Sequence, residues 1–259
     1  MPEAFDPDKA ARYVLEAHAS RAEYRNLPPG IAPGNVAEAY AAQAALAKLL
    51  RSTEGGIAGL KIATTTKIMQ QLMGIDHPCG GLIFERRVFR SPAEIRLSDH
   101  LHVVLECELA VRIARTVPKT TPYTAASIKP AVAAVMPAFE LIEDRKADYK
   151  SAKALSMIAD NCWNAGVVLG AETPFEPGRS LDGIRGSLTI DGRPRGEGTT
   201  DGPLEALAWV ANLAAEHGRT LEPGMIVITG SIIPTFPVEP GNRVVFTLDG
   251  LGSAEIVAA

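Results

Sequence analysis

The 259-residue sequence is 46% hydrophobic and 22% charged, which is typical of a globular protein with a large buried core. Its formal net charge of -4 leaves no basic excess for contacts with phosphates, which argues against a nucleic-acid partner. No apolar run approaches the length of a membrane span, and MPEAFDPDKA at the start lacks the basic and apolar regions of a signal peptide. We therefore expect a cytoplasmic protein with no membrane contact.

The first quarter of the chain is predicted to be helical. Asp6 followed by a proline has the pattern of an N-cap and a first helical residue, which predicts a helix to about Arg25. The proline-rich residues 27–34 separate this helix from the next. Asn35 with a glutamate three residues later has the spacing of a capping box, and apolar residues then recur at helical intervals to about Arg51.

From Ile57 onward, short apolar runs bounded by Gly, Pro and Asp predict the strands of a β-rich body. Asp191 and Gly192 lie between two runs as a two-residue hairpin turn, and residues 240–242 form another turn. One helix interrupts the strands at 203–217, followed by a capping glycine. The runs are GLKIAT, HVVLECELAVRI, MPAFELIED, GVVLGA, GSLTID, MIVITGS, NRVVFTLDG and SAEIVA.

The order of these elements predicts an α+β fold. The strands cluster along the chain and do not alternate with helices, which argues against a doubly wound parallel sheet. The single boundary that we predict lies near residue 55, between a helical region at 1–55 and a β-rich catalytic domain at 56–259. Gly55 and Gly56 are interpreted as a helix terminator in preference to a hinge.

Cysteines and histidines give little indication of a site. Three cysteines, far apart and without a C-x-x-C pair, predict neither a disulfide framework nor a zinc knuckle. His100 and His102 are spaced to share one strand face, but no further ligand of zinc type accompanies them at suitable spacing. The carboxylates are more informative.

Three glutamates lie inside apolar runs. Glu106 and Glu108 in LECEL are two residues apart, so on a strand their side chains leave the same face. Glu140 is set among apolar residues in MPAFELI. Burying ionised carboxylates is costly without a partner, and three of them fill half of an octahedral oxygen shell, which suits Mg²⁺ or Mn²⁺. From the pattern alone, an alternative stays open in which Glu106 and Glu108 face solvent from a one-sided strand.

Seven segments, in order, resemble the hydratase/decarboxylase branch of the fumarylacetoacetate hydrolase superfamily, which includes 2-keto-4-pentenoate hydratases and 4-oxalocrotonate decarboxylases. The resemblance implies a small helical amino-terminal region on a mixed, twisted β body, a homo-oligomer, and a metal held by Glu106, Glu108 and Glu140. The segments are GLKIATTTKIMQQLMGIDHP, LECELAV, MPAFELIEDRKADY, IADNCWNAGVVLG, PLEALAWVAN, MIVITGS and GLGSAEI.

The resemblance implies a lyase that acts on a small 2-oxo acid through a metal-stabilised enolate. A hydratase of 2-hydroxy-2,4-dienoates from meta-cleavage-type catabolism of aromatic compounds is the favoured reaction, and a 4-oxalocrotonate-type decarboxylase is the nearest alternative. An acylpyruvate-type hydrolase of carbon-carbon bonds is disfavoured because such an enzyme often uses a histidine as general base, and no histidine lies in a segment that matches that catalytic histidine. A non-catalytic partner subunit is the remaining alternative.

The resemblance also implies roles for further residues. Lys61 in GLKIAT takes the place of the active-site lysine, although a side chain that snorkels along the sheet is an alternative. Glu143, Asp144 and Arg145 are expected to form hydrogen bonds around the metal ligands or structural ion pairs. The residues expected to contact substrate are Asp76, Asp160, Asn161, Trp163, Thr229 and Ser231.

Two positions depart from the family pattern. Cys79 follows the proline of the D-x-P segment, where relatives carry an acidic residue implicated in proton transfer. A thiol with an ordinary pKa of about 8.5 is a less apt acid or base at neutral pH, so the catalytic role of Cys79 is in question. Trp163 replaces a small or hydroxyl-bearing residue and is predicted to narrow the pocket.

Overall fold

The computed structural model describes residues 4–119 and 122–259. Within these ranges the chain forms two mixed β-sheets and six α-helices, which confirms the α+β prediction. The helices are α1 (Pro7–Ala19), α2 (Val36–Glu54), α3 (Lys67–Met73), α4 (Ala125–Ile128), α5 (Ala154–Ala159) and α6 (Pro203–Glu216). The strands are β1 (Ile57–Ala63), β2 (Cys79–Phe84), β3 (Val88–Arg90), β4 (Ala93–Ile95), β5 (Val103–Ile113), β6 (Val132–Glu143), β7 (Asn164–Leu169), β8 (Thr173–Pro174), β9 (Arg185–Ile190), β10 (Arg193–Thr199), β11 (Ile226–Pro237), β12 (Arg243–Leu248) and β13 (Gly252–Ala258).

Helix α1 begins as predicted and ends early. The Asp6 side chain accepts hydrogen bonds from two backbone N–H groups of the first turn. The helix ends at Ala19 and not near Arg25, so the predicted end is wrong. The Ser20 hydroxyl donates back to the carbonyl four residues earlier (2.7 Å), and Arg21 has a left-handed φ of 52°, which the helix cannot continue through.

Helix α2 is also capped at the predicted residue. The Asn35 side chain accepts from the N–H of Glu38 (2.9 Å), while the Glu38 carboxylate accepts from the N–H that precedes Asn35 (2.7 Å). The helix runs to Glu54, slightly beyond the predicted end. Gly55 then adopts a φ of 84°, so this glycine terminates the helix as interpreted.

The larger sheet has eight strands in the order β2-β1-β11-β5-β6-β7-β3, with β8 paired to β6. The pairs β1–β11 and β3–β7 are parallel, and the other pairs in this sheet are antiparallel. The second sheet has five strands in the order β10-β9-β12-β13-β4. Each of the eight predicted apolar runs forms a strand, whereas β2, β3, β4, β8 and β10 were not predicted.

The predicted turns and the third predicted helix are confirmed. Asp191 and Gly192 have φ values of 53° and 74° and join β9 to β10, as a type I′ turn requires. Gly241 has a φ of 89° in the turn between β11 and β12. Helix α6 begins at Pro203, and Gly218 follows its end with a φ of 66°.

The two sheets pack face to face around the main core. Phe139 of β6 and Phe246 of β12 are fully buried with ring centroids 6.0 Å apart. The amino-terminal helices contact this body through Gln43 of α2, whose buried amide donates to the carbonyls of Gly80 (2.9 Å) and Ile158 (3.0 Å). The division at residue 55 stays a prediction. None of the helices in the described ranges is long and apolar enough for a membrane span.

Candidate metal centre and active-site cavity

Strand pairing brings the three glutamates together in the middle of the larger sheet. The antiparallel register of β5 and β6 places Glu106 opposite Glu140, and Glu108 follows Glu106 on the same face. One carboxylate oxygen from each residue lies within 4.8 Å of the others. Glu108 and Glu140 are fully buried and Glu106 is half-buried, so the solvent-facing alternative for Glu106 and Glu108 is not adopted.

Each glutamate is held by a hydrogen bond to one carboxylate oxygen. These donors come from β11 and from the start of β7, so neighbouring strands fix the cluster. The bonds run from the Gly230 N–H to Glu108 (2.6 Å), from the Thr235 hydroxyl to Glu106 (2.6 Å) and from the Asn164 amide to Glu140 (2.7 Å).

Two of the remaining oxygens indicate what the cluster can bind. Glu108 Oε1 and Glu140 Oε2 are buried and accept no hydrogen bond from the described residues. A buried, unpartnered carboxylate oxygen is costly, and a hard divalent cation coordinated by oxygen would satisfy it. The residues present therefore fit a cation such as Mg²⁺ or Mn²⁺.

The electrostatics of the cluster point in the same direction. Burial, reinforced by Glu140 and Glu106, raises the pKa of Glu108 well above the ordinary value for a glutamate. Burial also raises the pKa of Glu140 to about 7, against the opposing effect of Lys61. Without a cation, these side chains resist carrying full negative charge.

Lys61 completes the charge arrangement from β1. Its Nζ lies 2.5 Å from Glu140 Oε1 and donates to the Cys162 carbonyl (3.0 Å). Burial alone would lower the pKa of Lys61, but Glu140 and neighbouring acidic groups outweigh burial and raise it above the ordinary value. The ammonium form is therefore favoured. The snorkelling alternative is wrong, because the side chain is only 2% exposed.

A cavity of about 520 Å³ opens beside this cluster. Its lining includes polar side chains from the strands and apolar side chains from the helices. Lys61 and Glu106 belong to the first group, and Met69 of α3 and Met157 of α5 belong to the second. A charged end beside an apolar surface is the arrangement expected for binding a small organic acid.

Two residues expected to contact substrate line this cavity, Trp163 and Ser231. The Trp163 ring packs edge-on against Tyr24 and Tyr149, with centroid distances of 5.0 and 5.4 Å. The ring lies in the cavity wall, and a cavity of about 520 Å³ remains beside it. The Ser231 hydroxyl donates to the Ile233 carbonyl (2.7 Å), as in a turn-stabilising role.

The other four residues expected to contact substrate are not in the cavity lining. Resemblance along a segment fixes a position in the chain but not the face on which a side chain emerges. Asp76 is exposed outside the cavity, and Asp160 forms an ion pair with Arg145 (2.7 Å). Asn161 forms two hydrogen bonds with the backbone of Leu82. The Thr229 hydroxyl donates to the Leu109 carbonyl (2.8 Å).

In the expected group of charges around the ligands, Arg145 forms an ion pair with Asp160, and the two carboxylates form hydrogen bonds with histidines. Glu143 contacts His100 Nδ1 (2.7 Å), and Asp144 contacts His102 Nδ1 (2.6 Å). The two histidines thus bind different carboxylates and form no joint metal site. Asp144 also accepts from the Tyr149 hydroxyl (3.0 Å), which links this network to a residue of the cavity wall.

Cys79 is separated from the cavity. The residue is fully buried at the start of β2, and it is not among the described residues of the cavity lining. Burial raises the pKa of its thiol to about 11. Cys79 is therefore poorly suited to transfer a proton to the substrate at neutral pH.

Sequence reasoning missed several residues of the site. Asn164 and Tyr149 lie within the matching segments DNCWNAG and DRKADY, so they carried a signal that was not used. Thr235 carried none, because its position opposite β5 depends on register shifts in β11. The methionines of α3 were missed together with that helix.

Comparison with known proteins identifies relatives over most of the chain. The family model described as fumarylacetoacetate (FAA) hydrolase C-terminal matches residues 80–257. The 2-keto-4-pentenoate hydratase of Paraburkholderia xenovorans (strain LB400) is 29% identical over 251 residues, covering 95% of this chain and 92% of the relative. The 4-oxalocrotonate decarboxylase of a Pseudomonas species is 30% identical over 200 residues, covering 75% and 76%.

A solved structure has the same fold. The 4-oxalocrotonate decarboxylase from Pseudomonas putida G7, complexed with magnesium and adipate, superposes with a TM-score of 0.88. The alignment covers 98% of this chain and 97% of that protein at 22% identity. The expected architecture, with helices at the amino terminus of a mixed β body, is thereby confirmed.

Proposed function

Because the chain belongs to the fumarylacetoacetate hydrolase family, we propose that it is a divalent-metal-dependent hydratase of 2-hydroxy-2,4-dienoates. The observation that carries this proposal is the buried cluster of Glu106, Glu108 and Glu140 beside Lys61, at the edge of a cavity large enough for a small organic acid. Similarity to a 2-keto-4-pentenoate hydratase over nearly the full length of both chains supports this reaction. The natural setting that we propose is meta-cleavage-type catabolism of aromatic compounds.

Glu106, Glu108 and Glu140 would hold the cation, and the unpartnered oxygens of Glu108 and Glu140 are suited to coordinate it. Mg²⁺ and Mn²⁺ both suit an all-carboxylate site. A bound cation supplies a Lewis acid that stabilises the negative charge developing on the 2-oxo oxygen of the substrate.

Lys61 is the residue that we assign to substrate binding and proton handling. An ammonium group has three N–H donors, and two of them are directed at Glu140 and the Cys162 carbonyl. The third is available to a substrate oxygen in the cavity that Lys61 lines. Positive charge at this position attracts the substrate carboxylate and holds a proton close to the enol oxygen.

The hydration reaction needs a defined sequence of proton and water transfers. The dienol is ketonised when a proton leaves its 2-hydroxyl and another is added at C5. Water then adds at C4, and the resulting enolate takes up a proton at C3. Hydroxyl groups of Ser231 and Thr235 line the same cavity as Lys61 and give water hydrogen-bond partners there.

A decarboxylase is the nearest alternative, favoured by the relative that is 30% identical over 200 residues. Its 4-oxalocrotonate substrate carries a second carboxylate, yet Lys61 is the only cationic residue in the described cavity lining. The same lining has no histidine, which disfavours a hydrolase with a histidine base. The non-catalytic partner is less consistent with a buried lysine that is kept beside three glutamates.

Turnover assays test the proposal directly. Metal-stripped protein is supplied with 2-hydroxypenta-2,4-dienoate or 4-oxalocrotonate, with and without Mg²⁺ or Mn²⁺, while dienol absorbance and released CO₂ are followed together. Metal-dependent loss of dienol without CO₂ is expected. Release of CO₂ would assign a decarboxylase, and inactivity on both substrates with the metal bound would overturn the proposal.

The partner hypothesis has its own test. Glu106→Gln is expected to abolish turnover without altering assembly, measured by light scattering. Turnover by Glu106→Gln that equals turnover by the unmodified protein would favour a non-catalytic role for this chain. Light scattering of the unmodified protein also tests whether the chain forms the expected homo-oligomer. Fractionation of the cells that produce the protein tests the expected cytoplasmic location.

A further inference from the structure

The active-site cavity has two chemically different walls. The strand wall consists of Lys61, Glu106, Ser231 and Thr235, from β1, β5 and β11. The second wall comes from helices and the segment that follows α5, and we call it the methionine wall. It consists of Met69, Met73, Met157 and Trp163.

The methionine wall is a continuous apolar surface. Met73, Met157 and Trp163 belong to one buried hydrophobic cluster, and Met69 packs against the same cluster. Methionine side chains are unbranched and flexible, so a surface built from three of them adapts to apolar groups of different length. Such a surface lends itself to binding a hydrocarbon chain.

Charge in the cavity is confined to the strand wall. Among the described lining residues, Lys61 is the single cation and Glu106 the single carboxylate. A second carboxylate on the substrate, directed toward the methionine wall, would lose its hydration without gaining a cationic partner. The lining therefore favours substrates with one carboxylate.

The volume of the cavity exceeds what the smallest dienoate needs. Even at roughly 30 Å³ per atom, the space of one water molecule in the liquid, the eight non-hydrogen atoms of 2-hydroxypenta-2,4-dienoate fill about 240 Å³. The cavity measures about 520 Å³. About half of it is left for a longer substituent.

We propose that the methionine wall binds the hydrocarbon tail of a substrate with one carboxylate, a 2-hydroxydienoate longer than five carbons. This inference rests on the proposed function, because it takes the 2-oxo acid end to lie beside Lys61 and the three glutamates. On this proposal, the methionine wall selects against dicarboxylates and in favour of alkyl-substituted dienoates.

Binding of unreactive 2-oxo acids tests this proposal independently of turnover. Isothermal titration calorimetry on the Mg²⁺-loaded protein compares 2-oxobutanoate, 2-oxohexanoate, 2-oxooctanoate and the dicarboxylate 2-oxohexanedioate. Full burial of four additional methylenes would tighten binding about 200-fold, so at least about 30-fold is expected from 2-oxobutanoate to 2-oxooctanoate. 2-Oxohexanedioate is expected to bind at least tenfold more weakly than 2-oxohexanoate.

A matched pair of variants on α3 locates the tail. Met69→Lys puts a cation into the methionine wall, and it is expected to weaken 2-oxooctanoate at least tenfold and to strengthen 2-oxohexanedioate. Ile68→Lys makes the same substitution at the adjacent residue, whose side chain is 77% exposed and outside the cavity lining. This control is expected to leave the affinities for all four acids unchanged, with circular dichroism checking the fold of both variants.

The outcomes separate this inference from the hydratase proposal. Equal affinity across the series, or equal effects of Met69→Lys and Ile68→Lys, would overturn the tail site even if pentadienoate is hydrated. Tighter binding of the longer acids without turnover of any dienoate would leave the tail site standing and remove the hydratase assignment. Failure of the metal-loaded protein to bind any of the acids would overturn both.

Discussion

Loss of one metal ligand, in Glu108→Gln, is expected to stabilise the metal-free protein. Burial and the charges of Glu140 and Glu106 raise the pKa of Glu108 well above its unfolded-state value of 4.5. A carboxyl group whose pKa is raised by folding lowers stability as the pH rises from the unfolded-state pKa toward the folded-state pKa. The glutamine side chain in this variant would keep an oxygen acceptor for the Gly230 N–H without the charge.

The geometry sets the size of the effect. Carboxylate oxygens of the three glutamates lie within 4.8 Å of one another, and at an effective dielectric constant of about 20 one such pair of charges repels by about 3 kcal/mol. At pH 8 in EDTA, we expect E108Q to exceed the wild-type free energy of unfolding by about 3 kcal/mol. pH 5 is only slightly above the unfolded-state pKa of Glu108, so ionisation in the unfolded state favours unfolding only weakly. At this pH, the difference in free energy of unfolding between E108Q and the wild type is expected to fall below about 1 kcal/mol.

Urea unfolding at fixed protein concentration measures this difference, because assembly makes stability depend on concentration. Added Mg²⁺ is expected to stabilise the wild type much more than E108Q, since binding to the folded state alone raises stability. Glu94→Gln removes a carboxylate that is 63% exposed and should change stability by no more than about 0.5 kcal/mol. Parallel loss of stability by wild type and E108Q between pH 5 and pH 8 would refute the reasoning.

Three further predictions concern the site. Lys61→Met should lower kcat at least about 100-fold while Mg²⁺ binding by calorimetry persists, because the lost group handles protons; undiminished kcat would contradict its role. Asn164→Ala should raise the Kd for Mg²⁺ about tenfold by releasing Glu140, and an unchanged Kd would exclude Asn164 as a positioning residue. Cys79→Ala should keep kcat/KM within about threefold, because the thiol lies outside the cavity, and a 100-fold loss would restore its catalytic candidacy.

The candidate metal ligands were accessible to sequence reasoning because their signal is local. Glu106 and Glu108 interrupt an apolar strand at a spacing of two, and the periodicity of a strand puts them on one face without reference to any other segment. Glu140 interrupts another apolar run in the same way. That β5 and β6 are neighbours, with Glu106 opposite Glu140, came only from the structure and the family resemblance.

Other features depend on information that a single segment does not contain. The end of α1 depends on Arg21 in a left-handed conformation, which composition does not signal. Helix α3 has seven residues, too few for a helical period to be recognised, so Met69 and Met73 could not be assigned to a wall. Asp160 and Asn161 belong to a matching segment that reaches the cavity at Trp163. Their own side chains bind structural partners outside the cavity lining, Arg145 and the backbone of Leu82.

Strand β11 links the chemistry of the site to the register of the sheet. It pairs in parallel with β1, which carries Lys61, and in antiparallel with β5, which carries Glu106 and Glu108. Its backbone at Gly230 and its hydroxyl at Thr235 hold those two glutamates. Because a slip of one residue turns every side chain of a strand to the other face, an altered register of β11 would move both donors at once. Lys61 and the three glutamates are kept together here because the apolar residues of four adjacent strands, β1, β11, β5 and β6, fix the register of the sheet.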